Sequence, residues 1–366
     1  MRRLSEAALQ RCLDLGATYA SFRFERVRGQ SVRLRDGTLE GVNDTEDMGY
    51  SVRVVVDGTW GFASDVERTT EAAVRTADRA AEIARFTAPV NRERVVLAEE
   101  PGHGDVTWSS SFEVDPFSVS DADKVALLQD WTQRLMRAPG VDHVDASVSV
   151  VKEHKFYADL SGTTTTQQRV RLQPSVMTVA VDPDSGGFET MSSVSPPVGR
   201  GWEYLTGDVW DWDTELAQLP GWLVEKLRSP SVEPGRYDLV IDPTNLWLTI
   251  HESIGHATEL DRALGYEANY AGMSFATPDL LGSLQYGSPL MNVTGDRTVE
   301  HGLATVGFDD EGVATQTFPI ITDGLLVGYQ LDRSIAGHTG ATRSNGCAFA
   351  DSSGHVPIQR MANVSL

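Results

Sequence analysis

Cysteine is almost missing from this sequence. Only Cys12 and Cys347 occur in 366 residues, far apart and outside any CxxC pair. That excludes a disulfide framework and a structural zinc ribbon, and it fits a reducing compartment. Long apolar runs are missing too. No stretch approaches the ~18 consecutive apolar residues of a membrane span. The N terminus, MRRLSEAALQRCLDLGA, interrupts its apolar positions with Ser5, Glu6, Gln10 and Arg11, so it lacks a secretory core. The expected location is therefore the cytoplasm, with no membrane partner. Basic residues are in deficit, 31 against 52 acidic, for a net charge of −21. A broad phosphate-binding face needs clustered Lys and Arg, so a nucleic-acid partner is not expected. No short repeat or low-complexity tract is present.

What remains is the composition of a globular protein, 40% hydrophobic and long enough for two domains. Residues 5–15 read as a helix capped by Ser5 and stopped by Gly16. SFRFERV (21–27), QSVRLRDG (30–37) and TLEGV (38–42) alternate like strands, with Asp36-Gly37 as a two-residue turn. YSVRVVVDGTWGFAS (50–64) repeats the design around Asp57-Gly58. Two long helices follow, at 70–86 capped by Thr69 and at 121–137 capped by Ser120. Residues 143–160 and 163–181 read as long strands, and 213–228 as a further helix. Pro230, Pro234 and Gly235 mark the best boundary. The expected class is α+β: an N-terminal α/β domain (1–230) with antiparallel hairpins, then a mostly antiparallel β domain (231–366) carrying one long helix, 244–264, capped by Thr244.

That helix holds the sharpest signal, His251-Glu252-Ser253-Ile254-Gly255-His256. Two histidines flanking a glutamate suit a zinc site, but the familiar spacing is HExxH. Five residues at ~100° each would set the imidazoles roughly 140° apart on a regular helix. Two escapes remain open: a π-bulge, or local unwinding at Gly255. Regular α-helix throughout 248–260 would speak against metal binding. With a defect, His251 and His256 could ligate Zn²⁺, and Glu252 could act as general base for peptide hydrolysis. Otherwise all three are ordinary polar helix residues. Glu259 could orient His256 or pair with Arg262.

The sequence resembles the TldD branch of the TldD/PmbA metallopeptidase family. The likeness runs through residues 21–64, HESIGHATELDR (251–262), ITDGLLVGYQLDR (321–333), SNG (344–346) and HVPIQRMANVSL (355–366). It implies a bacterial or archaeal cytosolic peptidase with one zinc, acting on unfolded or extended peptides and paired with a TldE/PmbA-like subunit or a second copy. It also implies His251 and His256 as ligands and Glu252 as base. The family's third ligand is a cysteine near the end of a longer chain, and it has no counterpart here. The expectation is a chain lacking the C-terminal part, with exposed sheet edges or an incomplete core. Substitute ligands would be Cys347, His355 or Asp351. The rival reading is a non-catalytic paralogue or assembly subunit. Trp202, Trp210, Trp212 and Trp222 read as helix packing rather than a peptide surface, and Gly186-Gly187 as a turn. The loop with Gly282, Tyr286 and Gly287 could line a cleft.

Overall fold

Alternation of side chains along extended strands divides this molecule. The computed structural model describes residues 1–183 and 186–366. Its largest sheet contains β1 (Tyr19–Arg35), β2 (Thr38–Val56), β3 (Thr59–Asp65), β4 (Gly104–Ser109), β5 (His143–Asp159), β6 (Thr163–Val181) and β7 (Phe188–Ser192). The order is β3-β2-β1-β5-β6-β4, with β7 also paired to β6. β4 runs parallel to β6, and the other pairings are antiparallel. Both Asp-Gly turns form as expected. Asp36 and Gly37 have φ of 50° and 77°, and Asp57 and Gly58 have 54° and 77°. This is the left-handed pair that a two-residue hairpin requires.

Towards both ends of β1 the even-numbered positions Ala20, Phe22, Phe24, Val32 and Leu34 are apolar and pack into helix-covered cores, whereas Arg26, Arg28 and Gln30 between them are polar. Phe22 packs with Tyr50, Val52 and the alanine face of α2 (Thr70–Thr87), beneath α1 (Arg2–Asp14). Val32 and Leu34 belong to a second core with α3 (Asp121–Met136) and α5 (Trp212–Arg228), which also takes in the short turn α4 (Glu203–Thr206). Trp131 and Trp212 stack there at 4.3 Å, and Trp202 is buried in the same core, so the tryptophans serve packing.

Close approach of α2 to β3 depends on Gly61. A Cβ at that position would lie 1.9 Å from the Ala80 carbonyl oxygen. Backbone cannot rotate away, so Gly61→Ala should destabilise the protein by about 1–3 kcal/mol or more. An unchanged unfolding midpoint in urea would contradict this packing.

After α5 the chain runs without regular structure to α6 (Pro243–Ile250). Leu239 and Val240 lie exposed at 76% and 104%, and α6 buries none of its residues. A smaller antiparallel sheet orders β10 (Leu325–Leu326), β9 (Thr317–Thr322), β8 (Val293–Asp296) and β13 (Asn363–Ser365). Its core includes Ile254, Leu260, Val293 and Ile320. β11 (Ala348–Phe349) pairs with β12 (Ile358–Gln359). No helix among the described residues is long and apolar enough to cross a membrane.

The polar face of the large sheet meets residues 308–312. Asp310 receives Arg23 at 3.2 Å and Lys155 at 2.8 Å, and Glu311 receives Arg53 at 2.6 Å. Buried charges are tolerated here because each is paired.

Several expectations need correction. α1 starts at Arg2, and Ser5 sits inside it, donating its hydroxyl to the Arg2 carbonyl. The strand pieces at 21–27 and 30–37 are one strand, as are 38–42 and 50–56; the acidic stretch between the latter remains in register through pairs such as Arg28–Asp44 at 2.6 Å. The helix expected over 244–264 is not continuous.

Candidate metal centre

Asp242, not Thr244, caps α6: its carboxylate accepts the Thr244 amide at 2.9 Å. Apolar residues fill α6, and polarity begins where its regular winding ends. Residues His251–Gly255 form a π-helical turn, in which the His256 amide bonds the His251 carbonyl. A 3₁₀ turn follows (His256–Thr258), then extended backbone at Glu259 and the short α7 (Leu260–Ala263). Residues five apart stack one turn apart when bonding is i→i+5. The imidazoles of His251 and His256 accordingly approach to 4.4 Å between ring centres. Ligand-type atoms of His251, Glu252 and His256 all lie within 4.8 Å of one another.

Of the two escapes, the π turn is the one found. Gly255 has an ordinary helical φ of −53°. Its lack of a side chain serves a different purpose, because a Cβ would meet Met361 Sδ at 2.5 Å.

The widened turn is braced by residues that follow it in the chain. The Tyr286 hydroxyl donates to the Ser253 carbonyl, and Thr258 Oγ1 to that of Ile254 at 2.8 Å. The Gln330 amide donates to Gly255 at 2.7 Å, and its oxygen accepts the Ala362 amide at 2.7 Å. Gln330 is fully buried, and sequence reasoning passed over it. Tyr286 thus supports the helix rather than lining its cleft.

Glu259 settles toward His256. Its Oε2 lies 2.7 Å from His256 Nδ1 and 3.5 Å from Arg262. Burial raises the carboxyl to about 7 against the pull of Arg262 and Arg360. Burial, then Arg262, lowers His256; burial, then His256, lowers His251. Both imidazoles are therefore neutral near pH 7. When Glu259 is ionised it accepts the Nδ1 hydrogen of His256, which then presents its Nε2 lone pair to its surroundings. Glu259 Oε1 is buried without a hydrogen-bond partner among the described residues.

This donor chemistry fits a divalent, nitrogen-seeking cation. The substitute ligands do not assemble with it. Cys347 is buried in the smaller core, where burial pushes its thiol up to about 12, so it stays protonated. His355 and Asp351 pair with each other at 2.6 Å on the exposed surface. Among the described residues, the cluster of His251, Glu252 and His256 contains no third His or Cys.

Residues 20–84 match the family pattern described as PmbA/TldA metallopeptidase domain 1, and 234–366 match the PmbA/TldA metallopeptidase C-terminal domain. The chain is 27% identical over 369 residues to a metalloprotease of Synechocystis sp., spanning 95% of this chain and 71% of that one. It is 24% identical over 358 residues to the zinc metalloprotease TldD homolog of Saccharolobus solfataricus, spanning 97% and 74%. TldE from Thermococcus kodakarensis shares the fold, with a TM-score of 0.66 at 15% identity over 98% of this chain and 76% of that one.

Proposed function

This chain belongs to the PmbA/TldD metallopeptidase family, and on that premise we propose that it is a zinc-dependent peptidase subunit hydrolysing unfolded or extended peptides. The observation that carries the reading is the π turn, which gathers His251 and His256 with Glu252 between them. His251 and His256 would hold the metal through ring nitrogens. Zinc, when bound, acidifies a water and polarises a carbonyl. Glu252 accepts the proton of the attacking water and returns it to the departing amine, which leaves a cleaved peptide bond. Glu259 keeps His256 in one tautomer and one orientation. The proposed location is the cytoplasm. We place the domain division near residue 230, and the proposed partner is a TldE/PmbA-like subunit or a second copy of this chain.

The absence of a third His or Cys from the cluster favours a second reading, a non-catalytic paralogue or assembly subunit. Catalytic zinc usually has three protein ligands. Metal content separates the two readings. The peptidase reading expects a single zinc per purified chain, lost in His251→Ala and in His256→Ala. A wild-type chain that binds no zinc, or variants that bind as much as wild type, would defeat it.

A further inference from the structure

The metal helix opens onto a cleft of about 700 Å³. The whole chain carries a net charge of −21. The cleft reverses that sign: Arg169, Arg171, Arg297 and Arg360 line it, against one acidic side chain, Glu259. We infer that this cleft recognises a carboxylate on the bound peptide, borne by an acidic side chain or a free C terminus, with Arg171 and Arg360 as the residues that read it. The inference rests on the peptidase reading and adds a substrate preference to it.

Three observations carry the argument. First, Arg169 and Arg171 lie two apart on β6 and so project from the same face. Both grip Glu153, at 2.5 Å and 2.6 Å. One carboxylate shared by two guanidinium groups leaves a positive charge uncompensated. Second, Arg297 is buried, and its Nε and Nη1 donate to the carbonyls of Ala304 and Gly346 at 3.1 Å and 2.9 Å. Neutral carbonyls satisfy its donors without cancelling its charge. Third, Arg360 is 35% exposed and touches Glu267 only at 3.4 Å, so its guanidinium is free to reorient.

Apolar neighbours strengthen the field of these groups. Trp247, Leu303 and Phe349 are among the apolar residues that share the lining with the arginines. Charge in a cleft with low-dielectric walls acts more strongly than on an open surface. A guanidinium matches a carboxylate through two parallel N–H donors. The net charge of −21 would repel a polyanion such as nucleic acid far more than a short peptide with one carboxylate.

The test is direct binding rather than turnover. Dye-labelled pentapeptides carrying Glu or Gln at each position, with free or amidated C termini, would be titrated against the purified chain at low salt by fluorescence anisotropy. The expected result is about tenfold or more tighter binding of the carboxylate-bearing member of a pair. That preference should fall in Arg171→Gln and in Arg360→Gln and shrink with added salt. A preference confined to free C termini would assign the site to the peptide end; one confined to Glu would assign it to a side chain. Arg360→Gln breaks only a long contact, so it remains informative if Arg171→Gln fails to fold. Equal binding of acid and amide forms, or a preference that survives Arg360→Gln, would overturn the inference. A binding preference without hydrolysis would uphold it and defeat the peptidase reading instead.

Discussion

Glu252→Gln is expected to lower peptide hydrolysis by about 10²–10⁴-fold while zinc stays bound. Gln keeps the size and the hydrogen-bonding reach of the side chain but cannot accept the water's proton. Tyr286, Thr258 and Gln330 hold the π turn through the backbone carbonyls of Ser253, Ile254 and Gly255 and not through the Glu252 carboxylate, so the histidine pair should be undisturbed. Measuring kcat on a disordered peptide beside the zinc content of the same sample separates proton transfer from metal loading. Activity within a few-fold of wild type would exclude Glu252 as the base. Loss of zinc together with activity would instead make it a ligand.

A comparably large effect, on stability, is expected at Glu153. This β5 residue lies directly across from Arg169 on β6 and also holds Arg171. Glu153→Gln would leave two largely buried guanidinium groups without their carboxylate, a loss of about 3–5 kcal/mol. Its pH dependence gives a second readout. Burial opposes ionisation of Glu153, but Arg169, Arg171 and Lys155 outweigh it and hold the pKa at about 2, against 4.5 unperturbed. The native state therefore favours the charged form. The stabilisation is fully present above pH 4.5 and is lost as pH falls through 2. The stability gap between wild type and Glu153→Gln should close across that interval. A gap independent of pH would mean that lost packing, not lost charge, causes the defect.

Much of the large sheet was legible because its signals are local. Thr69 and Ser120 cap α2 and α3 as their positions suggested, and both Asp-Gly turns sit where the sequence puts them. The middle of β2 was not legible. Asn43, Asp44, Glu46 and Asp47 have the composition of a loop, and only pairing with β1 across an exposed ladder holds them extended. The helix motif was legible as a contradiction: five-residue spacing cannot serve one site on a regular helix. That contradiction called for a defect, but the alternative at Gly255 could be dismissed only on the folded backbone, where Gly255 keeps a helical φ of −53°. The arginine-lined cleft was invisible for a further reason. Its basic residues come from β6, from the loop after β8 and from the stretch after β12, and no sequence window contains them together.

The braces on the π turn have a wider meaning. Its stray carbonyls are claimed by hydroxyl and amide groups arriving from tens of residues downstream, so the bend belongs to the assembled molecule and not to the hexapeptide HESIGH. Excised as a short synthetic fragment, the same letters would be free to rewind, and the two rings would drift to separate sides of the coil. Whatever grips a cation here comes into being only when remote parts of the polypeptide have already found their places.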